Sequence, residues 1–218
     1  MITRSEENYL KAIFSVHMQT KKNVSTNDIA NLLDTSPASV TEMIKKLQEK
    51  KLAIYEKYNG VRLSSKGEDN AIKTIRKHRL WETFLVNKLD FSWSEVHDVA
   101  EQLEHIKSNK LTDKLDHFLN YPKFDPHGDP IPTKNGVFNF QERISIFEMD
   151  INEEGIIMGV SLDNKDFLDH LTKLKISIGT RVRVLEQIKF DQSMKITYDS
   201  RIEHISKEIA ENILIKIN

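Results

Sequence analysis

The sequence predicts an α+β chain in three parts: an N-terminal winged helix-turn-helix, a helical middle segment and a C-terminal small β-barrel. Three observations carry this. A short helix, a turn, a longer helix and a hairpin follow one another across residues 26–63. Helically spaced apolar side chains then continue to residue 119. Beyond residue 142 the apolar residues fall into short runs divided by turns. The first pattern is that of a winged helix, and the change of period marks the passage from helices to strands.

Along the chain, Glu7, Leu10, Ile13, Phe14 and His17 stand at helical spacing. Ser25 caps a short helix over 26–33 carrying Ile29, Ala30, Leu32 and Leu33, and Asp34 and Thr35 make the turn. Ser36-Pro37 opens the next helix, because Pro suits a first helical turn and Ser satisfies the free N–H groups there. That helix runs to residue 50 and buries Val40, Met43, Ile44 and Leu47. Residues 52–55 and 61–63 form a hairpin around Tyr58-Asn59-Gly60, since Asn-Gly tolerates positive φ. Helices are expected over 66–87, over 92–107 behind a Ser92/Glu95 capping box, and over 111–119. Residues 122–132 are a loop with four of the five prolines. Strands are expected over 144–147, 155–160, 181–185 and 194–198, with one helix over 164–174. Turns at 152–155, Gly179 and Asp191 separate them. The expected domains are 1–64, 65–141 and 142–218.

Composition narrows the function classes. The chain has 218 residues, 39% hydrophobic and 30% charged, with 7 Gly, which excludes collagen-like and wholly disordered chains. There is no Cys, so a disulfide framework, a thiolate zinc site and a cysteine nucleophile are excluded. No apolar run approaches the roughly 18 residues of a membrane helix. The start MITRSEENYL has acids where a signal peptide has a basic region, so a cytoplasmic protein is expected. The net charge is +4 over residues 1–66, −4 over 67–150 and −1 over 151–218. A basic head on an acidic middle suits a nucleic-acid module joined to a cation-binding module.

Residue types point to the chemistry. His97, Glu101, Glu104 and His105 occupy offsets 0, 4, 7 and 8, one stripe of a helix, and His78 and Glu82 are four apart one helix earlier. Carboxylates and imidazoles on two helices suit a divalent cation, while a solvated Glu-rich face gives the same spacing. Asp125-Pro126-His127-Gly128 sets two more donor types on a chain stiffened by Pro. There is no HExxH, Walker loop, GxGxxG or GxSxG. His17, His117, His170 and His204 have ordinary contexts.

These residues resemble the diphtheria toxin repressor family of metal-dependent transcriptional regulators, over essentially the whole chain. The likeness is closer to its manganese-responsive branch with a C-terminal SH3-like, FeoA-like domain. It rests on residues 76–80 with Glu82, on Val96-His97-Asp98, on Leu103-Glu104-His105, on residues 125–132 and on residues 39–45. The resemblance implies one metal site from His78, Glu101, Glu104, His105 and Asn8. It implies a second from Glu82, His97, Asp125, His127 and either Asp163 or Asp166. Three positions depart from the family: Asn8 stands where Asp or Met is usual, Lys11 where some members have Glu, and Asp125 where relatives often have Cys. Lys11 argues against the binuclear arrangement of those Glu-bearing members.

Hard oxygen donors with imidazole favour Mn²⁺, then Fe²⁺; Zn²⁺ or Co²⁺ would substitute in vitro. The resemblance further implies a homodimer joined through the helical middle segment, acting on double-stranded operator DNA of metal-uptake genes, with no membrane partner. The helix opening at Ser36 would enter the major groove. Ser36, Pro37, Ala38, Ser39, Thr41 and Glu42 would face bases and phosphates there, and Ser25, Lys45, Lys46, Lys57 and Arg62 would add to the DNA-facing surface. The lysines equally suit a plain solvated face. Three other readings stay open on the residues alone: a winged-helix regulator of a small organic ligand, a metal-assisted hydrolase, and a scaffold that uses the C-terminal barrel for protein contacts.

Overall fold

The computed structural model of the protein describes residues 2–57 and 59–217. Tyr58, part of the expected turn, lies outside the described residues. The chain divides into two compact units. One comprises residues 1–78, 101–112 and 132–138, and the other residues 79–100, 113–131 and 139–218.

In the first unit, α1 (Arg4–Thr20) begins with a Thr3/Glu6 capping box. Glu6 is buried against Lys50, with Nζ–Oε1 at 2.7 Å. Burial opposes its charge, but the Lys50 ammonium and the Thr3 N–H outweigh it and hold Glu6 below the ordinary carboxylate range. α2 (Thr26–Leu32) is capped by Ser25 and α3 (Pro37–Glu49) by Ser36. Leu32 is 55% exposed, so the second helix buries Ile29 and Ala30 but not Leu32. β1 (Ala53–Glu56) starts one residue later than expected, because the Leu52 N–H closes the end of α3 on the Leu47 carbonyl at 2.8 Å. β2 (Gly60–Leu63) pairs with β1 and also bridges Val24 through Val61. Gly60 has φ +92°, and a Cβ there would lie 2.6 Å from the Val24 carbonyl oxygen, so the wing requires glycine. Leu10, Ile13, Ile29, Val40, Leu47 and Val61 are among the buried side chains of this core.

Three helices follow: α4 (Ser65–Leu89), α5 (Val96–Leu103) and α6 (Asn109–Phe118). The expected helix over 92–107 is shortened at both ends. The Ser92/Glu95 pair closes an isolated turn, with Ser92 N–H donating to Glu95 Oε2 at 3.3 Å, and α5 begins only at Val96. At the far end the Ile106 N–H turns back to the Leu103 carbonyl at 3.1 Å. Glu104 and His105 therefore lie beyond the helix, not on its stripe.

In the second unit, Leu80, Leu115 and Ile131 form a small core with Trp81, Phe84 and Leu119. The C-terminal part contains β3 (Ile144–Ser145), β4 (Glu154–Val160), α7 (Lys165–Leu174), β5 (Arg181–Gln187), β6 (Met194–Tyr198), β7 (Arg201–Ile205), α8 (Lys207–Asn212) and β8 (Ile213–Ile217). Among the described residues these strands form one antiparallel six-stranded sheet of order β3-β8-β4-β5-β6-β7. The expected strand over 144–147 stops at Ser145, because a Ser145/Glu148 capping box bends Ile146–Glu148 into a 3-10 turn. β7, α8 and β8 were not expected from sequence: β7 is mostly exposed, and β8 follows α8 without a Gly or Pro to mark the change. Among the described residues no helix is long and apolar enough to cross a membrane.

Candidate metal centres

The first group lies in the first unit. α1 brings Glu7, Asn8 and Lys11, α4 brings His78, and the end of α5 with the turn after it brings Glu101, Glu104 and His105. Glu104 is fully buried. Its Oε2 accepts from Lys11 Nζ at 2.7 Å and from His78 Nδ1 at 2.7 Å. Lys11 Nζ also donates to Glu101 Oε1, which lies 3.9 Å from His78 Nδ1. Burial opposes ionisation of Glu104, but the His78 hydrogen bond and the Lys11 charge prevail and hold it below the ordinary range. Lys77 is partly buried nearby. Burial pushes its ammonium below the ordinary lysine value, although Glu7 and Glu104 pull it back.

Two oxygens of this group stand out. Asn8 Oδ1 and Glu104 Oε1 are buried side-chain acceptors without a hydrogen-bond partner among the described residues. Leaving such atoms unmade costs on the order of 1–3 kcal/mol each, so they ask for a donor or a cation. His105 Nε2 lies 3.7 Å from Glu104 Oε1, and its other nitrogen, Nδ1, donates to Glu7 Oε2 at 2.6 Å. With Nδ1–H committed to Glu7, the Nε2 lone pair is left for a ligand. A carboxylate behind a histidine is the usual orienting partner of a metal-binding ring. Carboxylate, amide and imidazole donors with two orphaned oxygens fit a hard divalent cation.

The second group lies in the second unit. Glu82 of α4 and the loop residues Asp125 and His127 are all buried and bring one ligand atom each to within 4.8 Å of one another. His97 Nδ1 of α5 lies 3.6 Å from Glu82 Oε1, and His127 Nδ1 lies 3.7 Å from the same oxygen. The other His127 nitrogen donates to the Trp93 carbonyl at 2.7 Å, and the two rings stack. Asp125 Oδ1 accepts the N–H groups of His127 and Asp129, both at 2.9 Å, which folds the loop on itself. Arg79 Nε stands 3.4 Å from Asp125 Oδ2, and Arg79 also holds Asp129 Oδ2 at 2.7 Å.

The loop is pinned from below. Gly128 has φ +87°, and a Cβ there would meet the Met158 carbonyl oxygen at 2.1 Å. Burial, then the charges of Glu82 and Asp129, raise Asp125 to about 7 against Arg79 and His127. Burial lowers His127, but Glu82 and Asp125 overcome it and raise the ring to about 9. Crowded acids sharing one imidazolium make a cluster that a divalent cation would relieve.

Asp163 and Asp166, the expected acids from the C-terminal part, are exposed and do not join this cluster. Asp163 precedes α7 and Asp166 sits in its first turn. Ser25, Ser36, Pro37, Ala38, Ser39, Thr41, Glu42, Lys45, Lys46, Lys57 and Arg62 all lie on the surface of the first unit. Several have local duties: Ser25 and Ser36 cap helices, Thr41 donates to the Pro37 carbonyl at 2.9 Å, and Arg62 meets Glu56 at 3.5 Å.

Glu7, Trp93 and Arg79 were not singled out from sequence as parts of a site. The advance signals were Glu7 beside Asn8 on a helical stripe and Arg79 within the 76–80 stretch, neither of which marks a partner.

Comparison with known proteins identifies the family. The metal binding and dimerisation domain of the iron dependent repressors matches residues 64–133, and their N-terminal DNA binding domain matches residues 1–61. A FeoA domain matches residues 145–217. The HTH-type transcriptional regulator MntR of Listeria monocytogenes is 33% identical over 133 residues, 61% of this chain and 91% of that protein. A 72-residue stretch, 33% of this chain, is 44% identical to a probable metal transport system membrane protein of Chlamydia trachomatis and spans only 16% of it. A solved manganese-dependent transcriptional repressor in complex with manganese superposes with a TM-score of 0.87 at 31% identity, covering 98% of this chain and 100% of that one.

Proposed function

Because the chain belongs to the iron-dependent repressor family, the kinship its resemblance to the diphtheria toxin repressor implied, we propose that it is a dimeric, metal-activated transcriptional repressor. We take its metal to be Mn²⁺, with Fe²⁺ as the alternative. In this reading it acts in the cytoplasm on operator DNA and controls metal-uptake genes. The division of labour is DNA binding by residues 1–64, metal binding and dimerisation by 65–141, and an SH3-like module over 142–218. The family is one of repressors, so we read the His/Glu clusters as sensing chemistry rather than as a hydrolase.

The observation that carries the reading is the pair of orphaned oxygens, Asn8 Oδ1 and Glu104 Oε1, beside a histidine already oriented by Glu7. We assign Asn8, His78, Glu101, Glu104 and His105 to one ion, and Glu82, His97, Asp125 and His127 to a second. A divalent ion there supplies positive charge to buried carboxylates.

The chain's own residues do the rest. Asn8 lies on α1 and Glu104 beyond α5, so a shared ligand ties the first helix of the winged head to the turn after α5. Glu7 fixes the ring of His105. Ordered heads of a dimer must reach successive major grooves about one DNA turn, ~34 Å, apart or a multiple of it. Ser36, Ala38, Ser39, Thr41 and Glu42 are the residues we place toward base edges, and Lys45, Lys46, Lys57 and Arg62 toward phosphates. Metal that favours the DNA-competent arrangement must in turn bind more tightly to the DNA complex, with a coupling of about 1–3 kcal/mol.

The test is binding to genomic DNA fragments selected by the Mn²⁺-loaded protein, with and without Mn²⁺, for wild type, Glu104→Ala and His105→Ala. Metal-dependent binding is expected only in wild type. Full metal dependence in both variants, or equal wild-type binding after chelation, sinks the proposal.

A further inference from the structure

Lys11 is not idle beside the first group. Its ammonium donates to Glu104 Oε2 at 2.7 Å and to Glu101 Oε1, across 93 and 90 residues of sequence. His78 Nδ1 meets the same Glu104 oxygen at 2.7 Å and stands 3.9 Å from the same Glu101 oxygen. Two carboxylate oxygens that suit a divalent ion therefore converge beside His78 on one corner, and a cation of this chain already lies against both. We propose that the Lys11 ammonium is a resident counter-ion that must leave Glu101 and Glu104 before a divalent ion can use them.

The inference rests on the metal-centre reading above and adds how that site is regulated. Lysine suits the part: a compact charge with three donors on a flexible stem can hold two carboxylates and let go of them. The side chain is 19% exposed, so it has a way out to water while its stem stays on the protein. The fully buried Glu104 gains a compensating charge without metal, which spares the protein an unpaired buried carboxylate. Two cations drawing on the same oxygens repel each other at close range, so the ammonium and the divalent ion alternate. Lys11 thus raises the free-metal concentration at which the site fills.

Two measurements on the full chain test this. In protein labelled with ¹⁵N at the lysine Nζ, an ordered Lys11 ammonium signal, assigned by its loss in Lys11→Arg, is expected after chelation. It should disappear into solvent exchange as Zn²⁺, a diamagnetic probe, is added to saturation. A signal that persists unchanged at saturation overturns the exchange. By equilibrium dialysis, Lys11→Leu should bind Mn²⁺ at least tenfold more tightly than wild type, and equal or weaker binding also overturns it. Glu104→Gln separates the two layers. If it loses Mn²⁺ while the wild-type Lys11 signal persists, only the exchange fails; if it binds Mn²⁺ like wild type, the metal-centre reading fails and the exchange with it.

Discussion

Glu7 Oε2 and His105 Nδ1 are 2.6 Å apart, a hydrogen bond that joins residues 98 positions apart and leaves the other nitrogen of the ring facing Glu104. A ligand ring held this way costs little entropy on binding, and losing its partner typically costs about 10–100-fold in metal affinity. Glu7→Gln should therefore weaken Mn²⁺ binding by roughly that factor, measured by dialysis, without abolishing the fold. An unchanged affinity would show that Glu7 does not position the ring.

Asn8 offers a different separation. Its Oδ1 is buried without a partner among the described residues, so no hydrogen bond to that oxygen is lost from the metal-free protein when it goes. Asn8→Ala should leave the melting temperature of the chelated protein unchanged or raised, yet weaken Mn²⁺ binding. Asn8→Asp should strengthen binding by roughly tenfold, ~1.4 kcal/mol, because a charged donor replaces an amide. A fall in metal-free stability for Asn8→Ala would show that the oxygen is satisfied after all.

The second group predicts a pH dependence. Asp125, raised to about 7, holds its proton more tightly folded than unfolded, so stability falls as pH climbs from its ordinary acid range toward 7. His127, raised to about 9, gives its full contribution below the unfolded value of roughly 6.5 and loses it as pH passes through about 9. Both slopes have the same sign. Chelated protein should lose stability from pH 5 to 9 more steeply than an Asp125→Asn, His127→Gln double variant, while its apparent Mn²⁺ affinity rises over the same range. Trp93, stacked on His127, would report by fluorescence an ion taken up there. Parallel pH profiles for the two proteins would remove these residues as the cause.

Gly128→Ala tests how firmly the loop is seated. The added Cβ would meet the Met158 carbonyl oxygen at 2.1 Å, and φ is +87°. A loss of about 2–3 kcal/mol is expected by denaturant unfolding, the range for strain at a special φ. Near-neutral stability would mean that the loop can lift off β4 freely.

On the DNA side, Lys46 is exposed on α3. Lys46→Ala should weaken binding to all sequences alike and flatten the slope of log K against log salt by about 0.9 for each phosphate that is no longer neutralised. A change in sequence preference instead would place Lys46 at a base.

Much of this protein was legible in the order of its residues. Ser36-Pro37 set the start of α3 and Asn59-Gly60 set the wing, because caps and turns act within a few bonds, and the side chains at 78, 82, 97, 101, 104, 105, 125 and 127 were visible as candidate donor types. The tertiary structure decided what local rules cannot reach. It ended α5 at Leu103, so that Glu104 turns into full burial instead of continuing a helical stripe. It set Lys11 on Glu104 and Glu7 on His105, partners more than ninety residues apart. It also left Asp163 and Asp166 in solvent. Periodicity says which face of a helix a side chain takes, but the distance to a donor on another element is fixed only when the cores pack.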